Sequence, residues 1–336
     1  MMRRAVKRLG SVRLAFLGMI ALAVGAALSY GNPQDTSIWV LVVPLAVLSV
    51  NLAAAIATNP RIYRRKGLLV FHVSLLAVIV GAAVGRLTFF EGRIEMLEGN
   101  PFSVEDVIDV RHGIFHRNRL SEVVFVQGGY TVQYRPGLNR GLTHSHLLVS
   151  EDGRWQTRIV GDDRPLVVGG YRFYTTFNKG FAPLLTWEPE QGEAVSGAIH
   201  MPSYPLFEHR QDNRWTPPGG KEIKFWLRLD TGLDREKAWV LDGRKAKAVL
   251  VVNENGRRAE LLPGQSVRLE GGTLRFERLL TWMGYKIFYD PTLYWMFGFS
   301  MLAVAGLFSH YWRKFGLALS TPVAGTTRSG DRVVTS

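Results

Sequence analysis

The sequence predicts a membrane protein of mixed α and β structure, with four transmembrane helices and a large extracytoplasmic antiparallel β domain between helices 3 and 4. Four apolar runs are long enough, at 1.5 Å per residue, to cross a hydrocarbon core of about 30 Å. Between the third and fourth runs, short apolar and aromatic stretches alternate with turn residues, a pattern typical of antiparallel sheets.

The predicted helices have no Asp, Glu or Lys, and Arg86 lies at the very end of the third apolar run. So long a charge-free run favours a membrane span over a buried helix of a soluble protein. The predicted spans cover residues 14–30, 38–57, 68–87 and 291–311, with the fourth apolar run starting at 293.

Two short motifs refine these helices. Asp290-Pro291 predicts the start of the fourth helix, because Pro suits a first turn and Asp before it can cap that turn. Gly81 and Gly85 form a G-x-x-x-G step, which predicts close helix packing.

The positive charge is concentrated outside the predicted β domain. The segments 1–13, 58–67 and 312–336 together hold twelve of the thirteen net positive charges. Since positively charged loops stay in the cytoplasm, both termini are expected inside and residues 88–290 outside. The basic composition therefore indicates topology and argues against nucleic acid as a partner.

Several classes of chemistry are excluded by missing signatures. The chain has no cysteine, so it cannot be a thiol–disulfide carrier. It has no phosphate-binding glycine loop, no H-E-x-x-H and no G-x-S-x-G motif. No catalytic residue is therefore predicted.

The region 88–290 predicts an antiparallel sandwich or open barrel built from hairpins. Turns are expected at Glu-Asp-Gly (151–153), Asn-Glu-Asn-Gly (253–256) and Gly-Gly (271–272), whereas Gly-Gly (128–129) is expected to interrupt a strand. The proline-rich residues 180–220 predict long loops, and the tail from Ser320 is expected to be disordered.

The third span contains His72, close to its cytoplasmic end. An ionisable residue inside a span is a candidate for function, and the alternative is a hydrogen bond between helices. His310 lies near the cytoplasmic end of the fourth span, at a depth similar to that of His72, so the two histidines could bind one metal centre; the alternative for His310 is a place in an aromatic belt. Imidazole is a common axial ligand of haem iron, and Arg64 and Arg65 could pair with haem propionates.

Two further histidine pairs lie in the predicted β domain. His112 and His116 have i,i+4 spacing, which would place them on one helix face, and His144 and His146 have the i,i+2 spacing of a strand face. Either pair could bind a metal, but no carboxylate or cysteine is placed to complete a site, so solvated side chains are favoured.

The ends of the helices carry a resemblance to a known family. "FHVSLL" opens the third helix, and "GYKIFYDPTLYWMFGFSMLAVAGLFSHYW" runs from an aromatic strand into the fourth. These motifs and the order of elements resemble the ResB (CcsB-like) family of System II cytochrome c biogenesis proteins.

The resemblance implies a subunit that, with a larger ResC/CcsA-type partner, carries haem b across the bacterial inner membrane and presents it to apocytochrome c. His72 would be an axial iron ligand, and His310 is a second candidate ligand. The chain itself would be an accessory rather than catalytic subunit of the haem lyase complex. Two alternatives stay open: a membrane-anchored scaffold or apocytochrome-binding protein without its own haem, and a membrane redox cytochrome b.

Overall fold

The chain divides into two compact units in the computed structural model, which describes residues 2–151 and 153–319. The β unit comprises Thr88–Asp290, and the helical unit comprises the chain before and after it. The division falls between Asp290 and Pro291. The tail predicted to be disordered from Ser320 lies outside the described residues.

The helical unit contains six described helices. They are α1 (Met2–Leu9), α2 (Val12–Gly31), α3 (Trp39–Thr58), α4 (Pro60–Tyr63), α5 (Lys66–Thr88) and α6 (Leu293–Leu319). Four stretches are long and apolar enough to span a membrane: α2, α3, α5 and residues Leu293–Trp312 of α6. Together with the antiparallel sheets described below, these helices confirm the predicted mixed α and β fold with four candidate membrane helices and a large antiparallel β domain.

Helices α2 and α3 pack closely at two glycines. A Cβ built on Gly18 would lie 2.8 Å from the side chain of Leu48, and one on Gly25 would lie 2.6 Å from the Val40 carbonyl oxygen. Any larger residue at Gly25 would meet backbone, which cannot move aside as a side chain can. The two glycines therefore fix how closely these helices approach.

Asn51 of α3 is a buried polar residue within an apolar span. Its amide donates to the carbonyl oxygens of Leu9 and Ser11, at 2.6 and 2.9 Å, where α1 ends and α2 begins. A helix end leaves carbonyl groups without partners in the helix, and a buried one costs free energy. Asn51 therefore has a structural role, which no pattern in the sequence predicts.

Helices α5 and α6 meet in a seam of small residues. A Cβ on Gly67 would lie 2.9 Å from both the Gly306 carbonyl oxygen and the His310 backbone nitrogen, and a Cβ on Gly306 would lie 2.8 Å from the Phe71 nitrogen. Gly81 faces Met296 in the same seam, so its predicted role in packing is confirmed. Helix α6 begins at Leu293, two residues after the start predicted from Asp290-Pro291.

The described residues of the β unit form fifteen strands. They are β1 (Phe90–Leu97), β2 (Ile108–His112), β3 (Phe125–Arg135), β4 (Asn139–Glu151), β5 (Arg154–Gly161), β6 (Leu166–Val168), β7 (Tyr171–Pro189), β8 (Val195–Ala198), β9 (Asp212–Trp215), β10 (Ile223–Asp230), β11 (Trp239–Asp242), β12 (Lys247–Glu254), β13 (Arg257–Leu261), β14 (Ser266–Leu269) and β15 (Gly272–Tyr289). All pairings among these described strands are antiparallel.

Three sheets share one apolar core. A seven-stranded sheet has the order β2-β1-β15-β7-β6, with β14 added beside β15 and β8 beside β7. The two four-stranded sheets have the orders β11-β3-β4-β5 and β13-β12-β10-β9. Strands β7 and β15 pair along nearly their whole length and so form the spine of the unit.

The predicted hairpins at 151–153, 253–256 and 271–272 are confirmed as β4–β5, β12–β13 and β14–β15. The Gly128-Gly129 pair does not interrupt β3 but forms a bulge, visible as a register shift against β4. In β3 the extra residue is accommodated without a turn.

The prediction of long loops from 180 is wrong for residues 180–189, which continue β7 through Pro183. The Pro183 carbonyl oxygen accepts from the Ile199 nitrogen at 3.1 Å, just beyond the end of β8. Because the N–H and C=O of a strand residue point to the same side, the missing N–H of Pro183 also lies where β8 ends. The proline therefore leaves the pairing of β7 with β15, on its other side, intact.

Three buried polar side chains close a hydrogen-bonded ring between two sheets. The Tyr285 hydroxyl donates to Gln127 Oε1 at 2.7 Å, Gln127 Nε2 donates to Ser145 Oγ at 3.0 Å, and Ser145 Oγ lies 2.6 Å from the Tyr285 hydroxyl. Each of these groups finds a partner in the ring, so burial leaves none of them unpaired. The ring fixes the seven-stranded sheet against β3 and β4.

Lys179 of β7 is a buried cation within this core. Its side chain is buried, with the residue 2% exposed, and Nζ lies 3.4 Å from the Phe177 carbonyl oxygen and 5.7 Å from the Tyr134 ring centre. Burial lowers the pKa of Lys179 to about 7, and the nearby Arg140 lowers it further, while Asp162 opposes the shift. Burying the Lys179 amine therefore lowers the free energy of unfolding of the β unit.

We expect Lys179→Met to stabilise the β unit by roughly 1–4 kcal/mol at neutral pH, as replacement of buried charges does elsewhere. The unfolded chain binds the lysine proton up to a pKa of about 10.4, whereas the folded chain releases it near 7. The wild-type stability should therefore rise with pH between about 7 and 10.4, and the variant should lack this rise.

Thermal unfolding of the full-length protein in detergent, followed by tryptophan fluorescence at several pH values, measures both effects. The exposed Lys224→Met in β10 is the control and should change neither. Equal stability of Lys179→Met and wild type across the pH range would contradict this account.

Candidate functional site

His72 lies in the second turn of α5 and its ring is oriented by its own helix. Nδ1 lies 2.7 Å from the Leu68 carbonyl oxygen, and the ring stands edge-on to Phe71 at 5.1 Å. A carbonyl oxygen can only accept, so Nδ1 carries the hydrogen and the neutral ring keeps a lone pair on Nε2. Among the described residues Nε2 has no hydrogen-bond partner, so it is available to a metal.

His310 lies in the α5–α6 seam, whereas His72 does not. Contacts of Gly67 with His310, of Phe71 with Gly306 and of Gly81 with Met296 show that the helices run antiparallel with a constant register. At 100° per residue, His72 is about 140° around α5 from Gly67. His72 therefore points away from α6.

The same register separates the two histidines along the helices. His72 lies level with Ala305, five residues from His310, which is about 7.5 Å along the axis. The close backbone contact between α5 and α6 also leaves no room for a macrocycle between them. The structure therefore does not bring His72 and His310 together at one site.

Arg65 lies on the His72 side of α5. Its carbonyl oxygen accepts from the Leu69 nitrogen at 2.8 Å, so Arg65 is in register with the helix. It precedes His72 by two turns, which places it on nearly the same face and about 10 Å nearer the helix N-terminus. Arg64 and Arg65 are both exposed, and the positive end of the helix dipole lies beside them.

The prediction that His112 and His116 share a helix face is wrong. His112 ends β2, and His116 lies in the loop that follows. His116 Nδ1 donates to the Thr88 carbonyl oxygen at 3.0 Å, and Nε2 accepts from the Tyr171 hydroxyl at 2.9 Å. Burial lowers the pKa of His116, with His112 adding to the shift. With both nitrogens in use, His116 is a structural residue rather than a metal ligand.

His144 and His146 share the outer face of β4, as their spacing predicted. The residues between and beside them, Thr143, Ser145 and Leu147, are buried. Two imidazoles on one strand face point the same way, so they cannot bind one haem iron from opposite sides. Among the described residues, no group of three or more His, Asp or Glu could hold a metal ion.

Sequence analysis did not single out Gly67 or Gly306, whose contacts place His72 outside the α5–α6 seam. The sequence contains a weak signal for this close helix contact: Gly306 precedes His310 by one helical turn, and Gly67 precedes Phe71 by one turn. Spacing of this kind allows close approach but does not say which helix is the neighbour.

The fold and the site define a class: a protein of mixed α and β structure with four candidate membrane helices, an antiparallel β unit, and a histidine in the third of those helices. The ResB-like family matches residues 51–225, just over half of the chain. The chain belongs to the ResB-like family, and the prediction of a ResB-family cytochrome c biogenesis protein is confirmed. The matched residues include His72 and end before His310.

No curated protein matches the chain significantly. Among solved structures, the chain is similar to one described as "Cytochrome c Heme Lyase CcmF", with 13% sequence identity and a TM-score of 0.27. The match covers 89% of this chain and 34% of that one, so the chain spans about a third of the length of this relative.

Proposed function

We propose that this chain is the haem-handling subunit of a System II cytochrome c synthase complex and holds haem b within the membrane. The observation that carries the proposal is the unpartnered Nε2 of His72, in a span of a ResB-family protein. The haem would supply the iron porphyrin that becomes attached to apocytochrome c.

The residues around His72 fit such a ligand. The hydrogen bond from Nδ1 to the Leu68 carbonyl oxygen holds the ring and favours the tautomer that binds metal, as hydrogen bonds behind metal-binding histidines do elsewhere. Arg65, and Arg64 beside it, offer guanidinium groups for propionates near the same helix end. His310 would then serve a different contact from His72, because His310 lies in the α5–α6 seam, His72 lies outside it, and the two are at different levels along the helices.

The exposure of the spans supports a membrane partner. In the most apolar 18-residue stretch of α5, only 6% of the residues are buried within this chain, against 39% in the corresponding stretch of α3. His72 points away from α6, so a ResC/CcsA-type subunit could approach its ring and would supply any further ligand to the haem. Apocytochrome c would meet the complex on the other side of the membrane.

The orientation in the membrane is part of the proposal. The charge distribution supports both termini in the cytoplasm and the β unit outside, in a bacterial inner membrane. Exposed aromatic side chains are found near both ends of the spans, as in the aromatic belts of membrane proteins: Tyr30, Trp39, Tyr294 and Trp295 at one end, and Tyr63, Tyr311 and Trp312 at the other.

The proposal is tested by the haem content of the complex. The chain, purified together with its membrane partner, should contain haem b by pyridine haemochrome and show a Soret band. The partner purified alone under the same conditions should contain less. Equal haem in the two preparations would favour the scaffold alternative, in which this chain binds apocytochrome or organises the complex without a haem ligand.

A further inference from the structure

Residues 108–119 of the β unit expose four large apolar side chains within a short stretch of chain. Ile108 and Val110 of β2 are exposed, and in the turn that follows Ile114 is 53% and Phe115 65% exposed. The register of β2 against β1 shifts within this edge strand, and Asp109 has a positive φ of 53°. Such an irregularity changes the direction of the strand and of its side chains. Large apolar side chains clustered on a surface indicate an interaction site.

Two hydrogen bonds tie this segment to the end of the third span. The Gly113 nitrogen donates to the Phe89 carbonyl oxygen at 2.9 Å, and His116 Nδ1 donates to the Thr88 carbonyl oxygen at 3.0 Å. Thr88 is the last residue of α5, the candidate span Lys66–Thr88. By connectivity alone, Ile114 and Phe115 therefore lie within a few residues' reach of the point where the chain leaves the hydrocarbon.

His116 makes the tether rigid. Its ring is surrounded by Phe90, Tyr171 and Tyr289 at centroid distances of 5.2, 5.8 and 5.3 Å, and both of its nitrogens are hydrogen-bonded. Because His116 is held from all these sides, the two residues before it cannot fold back into the core. Ile114 and Phe115 therefore stay exposed at the tip of the turn.

We propose that the segment 108–119 is a membrane-interface anchor, in which Ile114 and Phe115 insert among the lipid headgroups and upper acyl chains. The exposed Arg117 follows the tip, where its guanidinium can meet lipid phosphates. A lipid surface is favoured over a protein partner because the tether is to the residue that leaves the span. The inference requires only that α5 spans the membrane, and it is independent of haem binding.

The absence of cysteine from the chain makes the test direct. Phe115→Cys and, separately, Ile114→Cys would carry an environment-sensitive fluorophore in the full-length protein, reconstituted in nanodiscs. The matched control is Leu262→Cys, also an exposed apolar position. Leu262 lies in a turn that is hydrogen-bonded to Phe276 of β15. Phe276 precedes the end of β15 by thirteen residues, a distance on the order of 40 Å along the strand.

We expect blue-shifted emission at Phe115 and Ile114, quenching by lipids spin-labelled near the headgroup, and protection from aqueous iodide. The Leu262 probe should show the reverse. Iodide quenching at positions 114 and 115 equal to that at position 262 would overturn the proposal. Protection of positions 114 and 115 from both iodide and the spin-labelled lipids would also overturn it, because it would mean that protein covers the segment. Haem content plays no part in this readout, so its failure is distinguishable from failure of the proposed function.

Discussion

Replacing His72 with alanine should remove most of the haem from the purified complex and stop cytochrome c maturation. The variant loses the imidazole whose Nε2 is free while Nδ1 is bonded to the Leu68 carbonyl oxygen. Alanine has no group that can bind iron at this position. Haem per complex, by pyridine haemochrome, and maturation in the same cells are the two measurements.

The amount of protein should change little in His72→Ala. The Leu68 carbonyl oxygen keeps the helical hydrogen bond from the backbone nitrogen four residues on, so the substitution leaves no buried group unpaired. Exogenous imidazole should partly restore haem and maturation by taking the place of the missing side chain. Rescue of this kind would not follow from a packing defect.

Alanine variants of two other histidines are the comparisons for this result. His209→Ala, an exposed residue of the β unit with an 85% exposed side chain, should leave haem and maturation unchanged. His310→Ala should give a milder defect than His72→Ala, since His310 lies in the seam and at a different level. If His72→Ala kept full haem and full maturation, His72 would be a packing residue and the haem-ligand interpretation would be wrong.

Replacing Gly306 with leucine should break the α5–α6 seam. A Cβ there would lie 2.8 Å from the Phe71 nitrogen and 2.9 Å from the Gly67 carbonyl oxygen, and both are backbone atoms. No rotamer change relieves such a contact, so the helices must separate. Overpacking of this kind costs about 1–3 kcal/mol or more, and the loss of close helix contact adds to it.

Gly298→Leu is the matched control on the same helix. No atom lies within 4 Å of a Cβ built on Gly298, so the added side chain enters open space. Size-exclusion profiles of full-length protein in detergent, recorded after heating to a series of temperatures, should show early loss of the monodisperse peak for Gly306→Leu. Gly298→Leu should follow wild type. Equal profiles for the two variants would show that the seam is not a determinant of stability.

The sequence alone determined the features that depend on neighbouring residues. The four spans could be predicted because hydrocarbon thickness requires a minimum length of uncharged chain, and the three hairpins could be predicted because Gly and Asn favour the backbone angles of tight turns. His72 stood out because an ionisable residue is costly in an apolar span. Each of these signals is local, and each was confirmed at its own position in the fold, while the role of His72 stays a prediction.

Only the tertiary structure decided features that depend on distant residues. Strand β7 continues through Pro183 because the missing N–H faces the end of β8 rather than β15, and His116 is satisfied by Thr88 and Tyr171, which are far away in sequence. Equal depth from the cytoplasmic edge suggested that His72 and His310 could share a ligand. The contact between Gly67 and Gly306 sets the register and facing of α5 and α6, and it turns His72 away from His310. Spacing within one helix fixes which residues share a face, but the face that meets a neighbour is chosen by packing between helices.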